Sequence, residues 1–183
     1  MNESQISVRY ARALFKSALE KNLPDRIYED MVLLLEISKV KEFNSMIEAH
    51  TISNRQKYDI TSEILKGKIS SLSDSLIKLV IDNNRELYLP GIARYYKTLY
   101  KKYSGIKSVL MVTASSIDRS IKDNLKQLLE KALKTEIELS SEVDKSIIGG
   151  FILTIGDQQY DASVAASLKK IKKQLFETSV INI

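Results

Sequence analysis

Apolar residues recur every three or four positions through the first hundred residues, the spacing of one face of an α-helix. The pattern predicts six helices joined by short connections. The first runs from about Gln5 to Lys21. The second opens at Pro24, a position where the missing N–H of proline costs nothing, and carries Ile27, Met31, Leu34 and Leu35 at helical spacing. A short third covers about Val40 to Glu48. Ser53 followed by Gln56 fits a capping box for a fourth, which Gly67 ends. Ser73 or Asp74 is the expected cap of a fifth, reaching about Glu86. Pro90 opens the sixth, whose inward face is Ile92, Tyr96, Leu99 and Tyr103, and Gly105 closes it.

Beyond Gly105 the period changes. Val109-Leu110-Met111-Val112 is a short β-branched apolar run, the signature of a buried strand. Helical spacing returns from about Ile117 to Lys134, with Ile121, Leu125, Leu128, Leu129 and Ala132 on one face. Ile137, Leu139 and Val143 predict a second strand, and Ile148 to Ile155 a third entering a hairpin turn at Gly156-Asp157. A last helix, from about Ala162 to Glu177, carries Val164, Leu168, Ile171 and Leu175 on one stripe, with Asp161 as its expected cap. The predicted fold is therefore mainly α. A six-helix N-terminal bundle over residues 1–104 precedes a small α+β domain over 105–183, with a short mixed sheet and two helices.

Composition supports that reading and removes most chemistry. Six glycines and two prolines in 183 residues compare with roughly 22 at average usage, as a largely helical chain requires. There is no cysteine and one histidine, His50, so thiol nucleophiles, disulfides and multi-histidine metal sites are excluded. Gly149-Gly150 belongs to neither a GxGxxG nor a Walker pattern and reads as a bulge or close backbone approach. His50 falls in a connector and reads as exposed. No general acid, base and oxyanion donor can be assembled; no catalytic residue, cofactor or metal is expected. No apolar run approaches the ~18 residues of a membrane span, and the amphipathic start lacks a signal-peptide core.

Net charge is +5. Residues 1–104 hold 17 basic and 13 acidic side chains, a balance of +4, and residues 105–183 hold 11 and 10, a balance of +1. Five of the nine tyrosines lie between Tyr88 and Tyr103, interleaved with Arg94, Lys97, Lys101 and Lys102. Aromatic and basic residues together suit a single-stranded nucleic-acid platform, so a basic helical nucleic-acid-binding module stands as the alternative function. Against it, Tyr96 and Tyr103 fall on the core face, and no RNA-recognition sheet motif is present.

Two helices carry more apolar surface than one core needs. On ideal geometry the apolar and small residues of the first helix fill an arc of about 240°, whereas a helix lying on one core needs about 100°. Either this helix is buried on two sides, or one flank forms a groove for a partner's amphipathic helix. Ala13 and Ser17 beside Tyr10 would permit close approach there. The fifth helix has a similar surplus, with Leu76, Leu79, Val80 and Leu87 sharing an arc with Asn83. The amide of Asn83 is either satisfied internally or bonds a partner. On the last helix Lys169, Lys170, Lys172 and Lys173 form a charged face, either solvated or docked on an acidic partner helix.

Three stretches, RYARALF (9–15), NNRELYLPGIARYYKTLY (83–100) and DKSIIGGFILTIGDQQYDASVAASL (144–168), together resemble the delta subunit of bacterial F-type ATP synthases, the counterpart of the mitochondrial oligomycin-sensitivity-conferring protein. The resemblance spans nearly the whole chain. It implies a non-catalytic stator subunit at the cytoplasmic face of the bacterial membrane, attached only through the complex and present once in it. The N-terminal domain would grip the N-terminal helix of an alpha subunit between its first and fifth helices, in a groove lined by Ile6, Tyr10, Ala13, Leu14, Ser17, Leu76, Leu79, Val80 and Asn83. The C-terminal domain would hold the C-terminal region of the b subunit, with the four lysines as contacts. The isolated chain is expected to be monomeric.

Overall fold

The computed structural model describes residues 4–180, with side chains up to Lys172. It divides into two compact units, Met1–Ser104 and Gly105–Ile183. The first contains α1 (Gln5–Glu20), α2 (Pro24–Ile37), α3 (Lys41–Glu48), α4 (Asn54–Leu65), α5 (Ser71–Asp82), a 3-10 turn (Glu86–Tyr88) and α6 (Leu89–Ser104). Helix α6 packs on α1 and α2, and α5 packs on α1, α2 and α4. One apolar cluster joins them, with Ala11, Leu14 and Ala18 of α1, Ile27, Met31 and Leu34 of α2, Ile77, Val80 and Ile81 of α5, and Ile92, Ala93 and Tyr96 of α6.

Helix starts follow their caps. The Ser53–Gln56 capping box is formed in both directions. Helix α5 begins three residues earlier than expected: Ser70 is the cap, its Oγ accepting the N–H of Ser73 at 3.2 Å. The reason is tertiary. The buried carboxylate of Asp30 in α2 accepts the Ser70 N–H at 2.9 Å and the Ser73 hydroxyl at 2.6 Å, which selects one start among several serines. At its other end α5 stops at Asp82, short of Glu86, with Asn84 in the left-handed region at φ 55°. Glu86 is then free to turn inward, where its Oε1 meets the buried Lys57 ammonium at 2.5 Å. Lys57 also donates to the Ile47 carbonyl at 2.7 Å, joining α3, α4 and the 3-10 turn.

Tyr96 is fully buried and donates to the Pro24 carbonyl at 3.1 Å. Burial, aided by Tyr100, Asp25 and Asp30, pushes its phenol well above the ordinary tyrosine range. A raised folded value favours the protonated form, so its contribution to stability is complete below about pH 10 and lost as pH climbs through the folded value. Tyr96→Phe should remove that part of the alkaline decline in unfolding free energy. Equal pH slopes for the two proteins would contradict it.

The second unit contains β1 (Lys107–Thr113), α7 (Arg119–Leu133), β2 (Ile137–Val143), β3 (Gly150–Ile155), β4 (Gln158–Ser163) and α8 (Val164–Val180). The strands form one mixed sheet in the order β2-β1-β3-β4; β1 pairs with β2 in parallel and the other pairs are antiparallel. Helix α7 is the crossover that the parallel pair requires. Val109, Met111, Ile137 and Leu153 are buried in the core, with Leu125, Leu129 and Leu133 of α7 packed on it.

Two expectations about this unit change. The hairpin after Gly156 continues as a full strand, β4, paired as far as Ser163 opposite Gly150, so the last helix starts at Val164 rather than Ala162. Its cap is Ser163, whose Oγ accepts the Ala166 N–H at 3.1 Å. Asp161 instead accepts the Ser163 N–H at 2.9 Å, and hydrogen bonds from Ser163 hold its carboxyl below the usual range. Ile121 and Leu128 of α7 and Val164, Leu168 and Ile171 of α8 are exposed. A single sheet face takes only the Leu125–Leu129–Leu133 side of α7. Leu175 and Lys173 lie outside the residues whose side chains are described.

Candidate functional site

The periodicity of α1 sorts its side chains onto three sides. Ser7, Ala11, Leu14 and Ala18 point into the core, while Arg9, Arg12 and Lys16 are exposed. Between these sets runs a strip at steps of four, three and four. In it Ile6, Tyr10 and Ser17 are half-buried and Ala13 is exposed. Helix α5, which packs against α1, is organised in the same way. Ser73, Leu76, Ile77, Val80 and Ile81 are buried, Leu72 is half-buried, and Leu79 and Asn83 are exposed. Leu79 keeps 51% of its surface in solvent in the middle of the helix.

Three of the nine expected lining residues are therefore core residues. Leu14 (4% exposed), Leu76 (7%) and Val80 (0%) belong to the buried apolar cluster, because the inward arc of each helix is filled by its neighbours. The amide of Asn83 is used internally: it caps α5, with Nδ2 donating to the Leu79 carbonyl at 2.6 Å.

Arg85 was not among the residues expected here. It follows the left-handed Asn84, and its N–H donates to the Val80 carbonyl at 2.9 Å. From there its guanidinium reaches α1, donating to the Tyr10 hydroxyl at 3.3 Å with its carbon 5.8 Å from the ring centroid. Tyr10 is thus fixed from the α5 side and a positive charge stands beside the strip. Only the abrupt end of α5 at Asn83-Asn84 hints at this in the sequence; the partner, 75 residues away, does not show there.

The arrangement is apolar, small at Ala13 and Ser17, and basic along one edge. Such a surface can receive a row of apolar anchors from a helix. Among the described residues no three His, Cys, Asp or Glu side chains are placed to hold a metal. Lys169, Lys170 and Lys172 of α8 are exposed. His50 is exposed between α3 and α4.

The tyrosine-rich segment is occupied with internal work. Tyr96 is buried, Tyr95 accepts from Arg12 at 3.4 Å, and Tyr100 donates to Asp25 at 2.5 Å while stacking on Tyr28. Tyr103, expected in the core, is 61% exposed and meets Phe15 edge-on at 5.8 Å. The nucleic-acid alternative thus loses its stacking platform.

The model of one protein family, described as the ATP synthase delta (OSCP) subunit, matches residues 6–175. The chain belongs to that family. It is 35% identical to ATP synthase subunit delta of Parabacteroides distasonis, a match covering 97% of this chain and 99% of the relative. It is 33% identical to ATP synthase subunit delta of Bacteroides fragilis, covering 94% of each. A chain in the cryo-EM structure of the Toxoplasma gondii mitochondrial ATP synthase hexamer superimposes with a TM-score of 0.76 over 94% of this chain and 98% of that one, at 23% identity, a likeness of fold. As a member of the family this chain is a stator component of the peripheral stalk of an F-type ATP synthase, a structural rather than a catalytic subunit. It is a peripheral subunit of a membrane-bound complex. Among its described residues no helix is long and apolar enough to cross a membrane.

Proposed function

We propose that the N-terminal unit, acting as a six-helix bundle, holds the N-terminal helix of one alpha subunit in the α1–α5 groove. The C-terminal unit holds the C-terminal region of the b subunit, so that the chain ties the catalytic head to the stalk on the cytoplasmic face of the membrane. The observation that carries the first half is uncovered apolar surface on two helices that pack together: Ala13 is exposed among the half-buried Ile6, Tyr10 and Ser17 of α1, and Leu79 is exposed on α5. Asn83 caps the C-terminal end of α5, and Leu14, Leu76 and Val80 are buried in the core of the same unit. A stator joint must resist torque through many catalytic cycles, which favours slow dissociation, and apolar anchors in a fitted groove supply that. For the second half, Ile121 and Leu128 on α7 and Val164, Leu168 and Ile171 on α8 offer apolar area. Lys169, Lys170, Lys172 and Lys173 complement acidic side chains on the stalk.

The test is calorimetric titration of the full chain with a peptide of the alpha-subunit N-terminal segment. Leu79→Asp should weaken binding about tenfold or more, since it replaces roughly half a leucine's burial by a charge that must be desolvated. Ala13→Trp should block the groove altogether. Ala13 is exposed, so the indole stands outside the core and circular dichroism should show an unchanged fold. Undiminished binding by both variants would refute the groove.

A further inference from the structure

Strand β2 forms one edge of the C-terminal sheet, and among the described residues no strand pairs with its outer side. In a parallel ladder, alternate residues of a strand bond to one neighbour. Glu136 accepts from the Lys107 N–H at 3.0 Å, and the Asp144 N–H donates to Thr113 at 2.9 Å, so the even-numbered residues of β2 face β1. Ile137, Leu139, Ser141 and Val143 therefore turn their N–H and C=O groups outward. The Ile137 N–H is already met by Glu130 Oε1 of α7 at 3.2 Å. The donors of Leu139, Ser141 and Val143 are left open. We propose that this edge takes up an extended segment of a partner polypeptide as an added strand, with one Asp or Glu side chain of that segment seated against α7.

The cavity beside this edge gives the chemistry of the occupant. A space of about 400 Å³ lies between α7 and β2, lined by Ile117, Arg119, Lys122, Asp123, Lys126 and Leu139. Leu139 belongs to both features: its backbone groups face outward while its side chain forms part of the cavity wall. A strand laid along the edge thus places alternate side chains next to Leu139, on the α7 side. Three cations against one carboxylate leave the lining positive. Lys126 is 3.6 Å from Glu130, but Arg119 and Lys122 have no ion-pair partner among the described residues. A carboxylate placed there gains charge-assisted hydrogen bonds. The open backbone groups select a polypeptide over a phosphate, because an extended peptide offers matching donors and acceptors at the spacing of a strand. The sequence of β2, IELSSEV, contains no proline or lysine, and its register with β1 runs without a bulge, so the usual blocks on edge pairing are missing. Its glutamates, Glu138 and Glu142, stand on the opposite face of the sheet. A second copy of this chain is the wrong occupant, since antiparallel pairing of two β2 strands sets both basic clusters side by side.

The experiment titrates ¹⁵N-labelled full chain with the peptide acetyl-Lys-Thr-Val-Glu-Val-Thr-Lys-amide, in which Thr, Glu and Thr share one side. In the free chain the amides of Leu139, Ser141 and Val143 should exchange rapidly with deuterium and those of Glu138, Ser140 and Glu142 slowly. Saturating peptide should slow the first set about tenfold or more. Replacing the peptide's Glu by Gln should weaken binding about tenfold. N-methylation of alternate peptide residues removes donors from one edge only, so one methylated set should lose binding and the other should keep it. In the protein, Ser141→Pro removes an outward donor at an edge position where proline is tolerated, and it should abolish the protection. The double variant Arg119→Glu with Lys122→Glu should reverse the preference, so that a peptide with Lys at the central position binds better than the Glu peptide. No saturable protection, equal binding of the Gln peptide, or equal effects of the two methylated sets would each overturn the proposal. So would a concentration-dependent dimer in sedimentation that protects the same amides without peptide. The edge shares no residue with the α1–α5 groove, so Ala13→Trp should leave peptide binding unchanged and the two readings fail separately.

Discussion

Glu86→Ala is expected to destabilise the N-terminal unit by about 3–5 kcal/mol, the cost of removing one partner of a buried ion pair. Lys57 is 4% exposed and its ammonium contacts only Glu86 Oε1 and the Ile47 carbonyl among its hydrogen-bond partners. Without the carboxylate a full positive charge stays buried beside one neutral acceptor. Domains of this size are stable by about 5–15 kcal/mol, so the loss is a large share of the total. Urea denaturation followed by circular dichroism measures it. The double variant Lys57→Met with Glu86→Leu should recover most of the loss, because a buried pair replaced by apolar side chains of similar volume is often neutral or stabilising. A single-variant cost below about 1 kcal/mol would mean that water reaches Lys57 and the pair contributes little.

Gly150→Ala should cost the C-terminal unit about 3 kcal/mol or more. The residue has φ +80°, and a Cβ built there would lie 2.3 Å from the Ala162 carbonyl oxygen and 2.9 Å from Ser163 Cα. Both are backbone atoms of β4, paired with β3 in fixed register, so neither can swing aside like a side-chain tip. The strand pair must separate where β4 hands over to α8. Gly156 supplies the control. Its φ is +59°, with nothing within 4 Å of a built Cβ, and asparagine tolerates the left-handed region, so Gly156→Asn should cost well under 1 kcal/mol. Thermal unfolding of the two variants side by side tests the difference; equal midpoints would contradict it.

Much of the fold was legible because local rules and tertiary packing agree in it. The proline at the start of α2, the Ser53–Gln56 box and the i, i+3, i+4 pattern of α1 each satisfy backbone groups or bury a face using residues a few positions apart. Misreadings occur where a distant residue decides. Asp30 selects Ser70 as the cap of α5 across 40 positions. The pairing of β4 with β3 delays α8 until Val164. Amphipathicity puts the apolar residues of α7 and α8 on one side without reporting what covers it, and Ile121, Leu128, Leu168 and Ile171 are exposed. The groove shows the same division. Periodicity finds the surplus arcs of α1 and α5, but only burial separates Leu14, Leu76 and Val80, which lie beneath, from Ala13 and Leu79, which stand in solvent. Arg85 escaped notice because its partner Tyr10 is 75 residues away.

By itself, then, the sequence determined the helical character of residues 1–104, the change of period after Gly105, the empty catalytic inventory and the family resemblance. All of these rest on residue type and short-range spacing. The tertiary structure alone decided which apolar side chains remain uncovered, which charges are buried in pairs, and that Glu86 turns inward onto Lys57. Those properties depend on which elements meet. Contacts between residues tens of positions apart are selected by the summed packing of the whole unit, and no local window of sequence contains that sum.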